Sequence, residues 1–325
     1  MRTLLCLLSS LALVPGIATA GICDPPDNRV QVAKTNLAVG RLRDKFFSNE
    51  NCSSWMATNG VWITAGHCFA FEPTLLEVGN VPNSLPDGTL ARAHELDRYP
   101  IDLGSVVRRD PEDDATARYD WAIFQVGPNA ITGEPPKHLV PMRISNVQYP
   151  VGTGVAVYGY GYNLTQRTWT STLQMARSVT GPGAAPVPNV VVHVVDTTKY
   201  NSGSPLLLGD TLLAIGIHFY GACKIPGPGN LATSVLLPEF LEALNDLPAG
   251  KSGRKVVNVD FNGPVDGQSS TGRIDAPYKT IQQALLFQRR PIMVIVAPGQ
   301  YRETSWSMVT DTLLAMPVND ISIAP

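Results

Sequence analysis

Between Val30 and Val235 the chain is heavily punctuated: short apolar or alternating runs recur along it, separated by Gly, Pro, Asn and Asp. They include Gly60 to Thr64, Trp121 to Val126, Val155 to Tyr158, Val190 to Val195 and Leu212 to Ile217. Runs of this length bounded by turn formers build the strands of an all-β barrel or sandwich. The 28 glycines and 27 prolines follow no three-residue period, which excludes collagen, and their density excludes long helical bundles. One helix is predicted here, Pro238 to Leu247, with Phe240, Leu241 and Leu244 on one face and Pro248-Ala249-Gly250 to stop it. It reads as the closing element of a domain.

Residues 1–20 read as an export signal: Arg2, the apolar run Leu4 to Val14, then Ala18-Thr19-Ala20 as an A-x-A cleavage pattern. The run is shorter than the roughly 20 residues a bilayer span needs, and no stop-transfer charges follow it. The expectation is a secreted protein that begins at Gly21 and has no membrane partner. With 25 basic and 27 acidic residues the formal charge is -2, which gives no electrostatic case for nucleic acid. Cys6 leaves with the signal, and Cys23, Cys52, Cys68 and Cys223 remain. An even number of cysteines in an oxidising compartment predicts two disulfides, and spacing alone leaves all three pairings open.

Three short segments carry chemistry. Thr64-Ala65-Gly66-His67-Cys68 ends an apolar strand, and a histidine held there beside a disulfide is placed as a rigid base. Tyr119-Asp120-Trp121-Ala122-Ile123 sets an acid directly ahead of a buried strand, where a carboxylate needs a partner. Asn201-Ser202-Gly203-Ser204-Pro205 puts a serine in a turn of small residues between apolar strands. Base, acid and nucleophile thus follow one another along the chain as His, Asp, Ser. Each alone is more simply a structural histidine, a cap or a turn; their conjunction is what points to nucleophilic catalysis.

On these motifs residues 23 to about 246 resemble a secreted serine endopeptidase of the chymotrypsin fold. Asn28-Arg29-Val30-Gln31-Val32, Cys52-Ser53-Ser54-Trp55-Met56, the Asn201 to Pro205 turn and Gly216-Ile217-His218 are most similar to its glutamyl endopeptidase branch. The resemblance implies two six-stranded antiparallel barrels with a C-terminal helix and a site in the cleft between them. In it Ser202 attacks the scissile carbonyl, His67 takes and returns the proton, Asp120 fixes the imidazole, and the backbone N–H groups of Tyr200 and Ser202 form the oxyanion hole. It further implies bridges Cys52–Cys68 and Cys23–Cys223, and an acid-selective pocket built from the Gly21 amine, Thr197 and His218. Asp196 offers a rival, since trypsin-like enzymes carry there the aspartate that selects Arg or Lys. The expected partner is a protein or peptide substrate, with no cofactor, no metal and a monomeric chain; no H-E-x-x-H, C-x-x-C or phosphate loop is present.

One departure supports a second reading. Lys199-Tyr200 stands where the family has Gly-Gly, and a tyrosine that cannot adopt glycine-like geometry turns a carbonyl into the oxyanion pocket. The chain is then a catalytically inactive homologue that binds without cutting. A third reading rests on the C-terminal part. Residues 21–248 form the protease-like domain, 249–255 a linker and 256–325 a smaller unit. There Ala276-Pro277-Tyr278-Lys279-Thr280-Ile281, the strand Ile292 to Val296 and Pro298-Gly299-Gln300-Tyr301 resemble the opening of a right-handed parallel β-helix. A carbohydrate-directed role would make that unit primary, with Asp260 and Asp266 as its nearest acids, although both are more simply turn residues.

Overall fold

The computed structural model describes residues 21–23, 26–33, 35–44, 51–82, 89–110, 119–162, 173–181, 189–223, 229–249, 255–260, 262, 270–287, 292–297, 300–302, 312–315 and 322–324. The export signal, the polar linker at 251–254, Asp266 and the Pro298-Gly299 turn lie outside the described residues. A two-residue strand, β1 (Val30–Gln31), precedes the first barrel. That barrel is closed by six antiparallel strands: β2 (Val39–Asp44), β3 (Asn51–Met56), β4 (Trp62–Thr64), β5 (Pro73–Val78), β6 (Arg98–Arg109) and β7 (Trp121–Val126), in the order β2-β3-β4-β7-β6-β5.

The second sheet holds β8 (Arg143–Ile144), β9 (Gly154–Gly159), β10 (Gln174–Val179), β11 (Val190–His193), β12 (Pro205–Leu208), β13 (Leu213–Tyr220) and β14 (Asn230–Ser234), with β1 at its edge. Its path runs β1-β10-β9-β12-β13-β14-β11, and β8 adds in parallel to β13. An antiparallel bridge between Thr180 and His193 brings β11 back to the end of β10, so six of these strands circle on themselves. The all-β expectation and the chymotrypsin-like pair of β units hold.

Trp55, Ile63, Trp121, Ile123, Leu207 and Ile217 form one buried cluster drawn from both β units. Helix α1 (Pro238–Asp246) lays Phe240, Leu241 and Leu244 into that cluster, and the ring of Phe240 meets Trp121 edge-on at 5.5 Å. Pro238 at the start of α1 carries no N–H, so one of the donors that a helix start leaves unpaired is absent from the outset. Inside the first barrel β2 departs from a simple apolar pattern. Arg41 pairs across the ladder with Glu77 of β5, Nε to Oε2 at 2.8 Å, with both side chains fully buried. Ala93 N–H donates to the other Glu77 oxygen at 3.0 Å and Arg41 donates to the Ala91 carbonyl at 2.6 Å, so backbone groups support both members of the pair.

Beyond α1 the strands pair in parallel. β15 (Lys255–Val259), β16 (Ile292–Val296) and β18 (Thr312–Ala315) form one parallel ladder, and β17 (Gln300–Arg302) with β19 (Ser322–Ala324) another. Helix α2 (Ile281–Phe287) starts with a capping box: Gln283 N–H donates to Thr280 Oγ1 at 3.0 Å, and Thr280 N–H to Gln283 Oε1 at 3.3 Å. This part docks on α1. Asn245 Oδ1 accepts from Asn258 Nδ2 at 3.0 Å and Ile274 N–H at 3.2 Å, and Ile274 joins the same apolar cluster as Phe240.

Candidate active site

Strand β4 delivers the histidine. It ends at Thr64, and Gly66 then opens a 3-10 turn over Gly66–Phe71. A side chain at Gly66 would strike the Arg109 carbonyl at the end of β6, so only glycine lets the turn approach so closely. The Cys52–Cys68 disulfide ties this turn to β3. Asp120, just ahead of β7, is 2% exposed. Its Oδ2 lies 2.5 Å from His67 Nδ1, and its Oδ1 accepts the His67 backbone N–H at 3.0 Å. A carboxylate against Nδ1 keeps the proton there and leaves Nε2 as the basic nitrogen. The imidazole is 38% exposed, so a base on a buried anchor is open to solvent. Thr233 of β14 clasps Asp120 from the other β unit: Asp120 N–H donates to Thr233 Oγ1 at 3.1 Å, and that hydroxyl donates to the Asp120 carbonyl at 2.9 Å.

Ser202 occupies the turn before β12. Gly203 has φ of 85° and sits so tightly on the Ser53 carbonyl and Thr64 Oγ1 that a side chain would overlap both. The Ser202 carbonyl accepts Ser53 N–H at 2.8 Å. These contacts press the serine turn onto the strand end that carries His67. The preceding turn answers the question raised by Lys199-Tyr200. Asn201 N–H donates to the Thr198 carbonyl at 3.0 Å, and Tyr200 has φ of 79°, the type II arrangement that glycine normally takes at this position. Tyrosine therefore adopts the glycine-like geometry, at a strain of about 1–2 kcal/mol. The Lys199 carbonyl accepts Tyr162 N–H at 2.8 Å, so the Tyr200 N–H, across the same planar peptide, points the opposite way.

The remaining candidates line the segment just before the serine and the facing strand β13. Asp196 is buried and turned toward the amino-terminal segment, its oxygens accepting Cys23 N–H at 2.8 Å and Asn28 N–H at 2.9 Å. Thr197 N–H donates to the Gly21 carbonyl at 3.1 Å. The Cys23–Cys223 disulfide fastens the same segment beside β13. His218 is tied to the serine turn through its backbone: Gly203 N–H donates to its carbonyl at 2.7 Å, and its own N–H donates to Ser204 at 2.9 Å.

Sequence reasoning passed over two residues behind this wall. Asn230 of β14 donates from Nδ2 to the carbonyls of Gly21 and Val195, both at 2.7 Å, and accepts Ala222 N–H at 2.9 Å. His193 of β11 places Nε2 3.1 Å from His218 Nδ1, with both rings buried. A lone histidine inside the apolar run Val190 to Val195 was the available signal. Burial pushes His193 down to about 3; His218 is also held well below the usual imidazole range, by burial first and then by the charges of His193 and His67. One proton therefore joins two neutral rings. Because the unfolded chain binds this proton near pH 6.5 and the folded His193 only near 3, the stability gained by keeping the ring neutral is fully present above about 6.5 and is lost as the pH falls toward 3. Thermal unfolding followed between those values should show a falling midpoint, and His193→Gln should flatten the slope.

A family model described as Trypsin matches residues 40–238. Among solved structures, a Glu endopeptidase in complex with MPD superposes with a TM-score of 0.52 at 17% identity, covering 70% of this chain and 100% of that one. No curated protein matches in sequence. No helix among the described residues is long and apolar enough to cross a membrane.

Proposed function

The chain belongs to the trypsin family, and from that premise we propose that it is an exported serine endopeptidase whose triad is His67, Asp120 and Ser202. The observation that carries this reading is the buried Asp120 carboxylate 2.5 Å from His67 Nδ1, beside the turn that presents Ser202. With Nδ1 holding its proton, Nε2 removes the proton from the Ser202 hydroxyl as the oxygen attacks a peptide carbonyl. The imidazolium formed is stabilised by Asp120 and returns the proton to the leaving amine. Water then repeats the sequence in reverse to hydrolyse the acyl-enzyme. Charge on the tetrahedral oxygen is met by the N–H groups of Tyr200 and Ser202, each such donor contributing roughly 2.7–4 kcal/mol.

For specificity we assign Thr197, His218 and the amine of Gly21 to an acidic side chain before the cut. Asp196 is assigned instead to holding the amino-terminal segment, because both its oxygens are taken by backbone N–H groups of that segment. We read residues 21–248 as the proteolytic domain and 256–325 as the opening of a parallel β-helix docked against α1. A fluorophosphonate probe should label Ser202 stably and leave Ser202→Ala unlabelled; an unlabelled, folded wild-type protein would favour the binding-only reading. Digestion of a peptide library should give cuts after Glu and Asp, and cuts after Lys and Arg would reject the acidic pocket.

A further inference from the structure

We infer that Arg29 is a positioning residue for the oxyanion turn, a strut reaching from the amino-terminal segment to hold the Lys199–Tyr200 peptide in its hydrogen-bonding orientation; this rests on the hydrolytic reading above. Arg29 is buried although it lies in an irregular segment, and all three of its guanidinium nitrogens make hydrogen bonds. The two N–H bonds of Nη1 are shared among the Thr198 hydroxyl at 2.5 Å, the Tyr162 carbonyl at 3.0 Å and Gln174 Oε1 at 2.8 Å. Nε and Nη2 grip Asp27 at 3.0 and 2.7 Å. Burial pushes the Asp27 carboxyl up, but the hydrogen bonds and charge of Arg29 outweigh it and hold it below the usual range.

Tyr162 and Thr198 carry the effect onward. Thr198 Oγ1 donates to the Tyr162 carbonyl at 2.7 Å, closing a ring with the guanidinium. The N–H of the same Tyr162 residue donates at 2.8 Å to Lys199, the carbonyl on the peptide whose N–H belongs to Tyr200. Ser53 Oγ holds the next carbonyl, that of Tyr200, at 2.9 Å. Where glycine would accept this turn freely, a tyrosine at φ of 79° persists only when its surroundings over-determine it. Arg29 fixes Tyr162, Tyr162 fixes the Lys199 carbonyl, and the Tyr200 N–H is thereby aimed the other way. Gly161, packed against Arg29, Thr198 and Asn201, leaves no slack between these parts.

The test compares wild type, Arg29→Ala, Arg29→Lys and Thr198→Val by steady-state kinetics on a peptide ester and by amide hydrogen exchange. Arg29→Ala is expected to lower kcat about a hundredfold, the loss typical of one oxyanion donor, with little change in KM. Exchange should quicken at Tyr162 and Asn201 while Ile63 and Ile123 in the first barrel keep their protection. Added guanidinium ion below denaturing concentration should recover part of kcat, and Arg29→Lys should fall between. Unchanged kcat and unchanged Tyr162 protection in Arg29→Ala would overturn the assignment. If that variant does not fold, Thr198→Val, nearly the same in shape, decides by the same two readouts. A wild-type protein without activity counts against the hydrolytic reading, and the exchange arm still decides whether Arg29 holds the turn.

Discussion

Asp120→Asn should lower kcat by about ten-thousandfold while leaving the fold and the substrate affinity nearly intact. The physical reason lies in proton bookkeeping at His67. The carboxylate accepts at Nδ1 and at the His67 backbone N–H, so it enforces the tautomer with a basic Nε2. An amide of the same shape can present an N–H to Nδ1, which favours the other tautomer and leaves Nε2 protonated and unable to take the serine proton. Ser202→Ala removes the nucleophile altogether and should cost about a millionfold in kcat. Steady-state rates on a peptide ester, with circular dichroism and both disulfides checked in each variant, measure these effects. Loss of only a few-fold in either variant would mean that the hydrolytic chemistry lies elsewhere.

Removing one partner of the buried ion pair has the largest expected effect on stability. Glu77→Ala leaves the fully buried Arg41 guanidinium without its counter-charge in the first barrel, and should lower unfolding stability by about 3–5 kcal/mol. The double replacement Arg41→Met with Glu77→Leu removes both charges and fills similar volume, so it should recover most of that loss. Urea unfolding of the three proteins separates the cases. A double variant no better than Glu77→Ala would show that packing around the pair, and not the stranded charge, sets the penalty.

The same pair explains where the sequence was hard to read. Strands of largely apolar character, such as Trp121 to Val126, announce themselves, and Phe240, Leu241 and Leu244 fix the buried face of α1. Strand β2 carries Arg41, Arg43 and Asp44 into positions that are all buried, so its composition reads as surface and its place in a barrel is visible only once Glu77 lies opposite. The candidate site divides likewise. His67, Asp120 and Ser202, the proposed triad, stand in short motifs that can be read locally. His193, Asn230 and Arg29 act through partners 25, 209 and 169 positions away respectively; the histidine stands out in its apolar run, but nothing local says what any of the three will meet. Asp196, which a motif suggested for substrate, is instead turned to Cys23 and Asn28, because the amino-terminal segment folds back across it.

Thr233 of the second β unit clasps the backbone of Asp120, whose carboxylate anchors His67 in the first. During synthesis the half bearing the imidazole leaves the ribosome well before the half bearing the hydroxyl exists. On the proposed reading, no complete triad exists until the later half has closed against the earlier one, so the order of translation delays the assembly of the site.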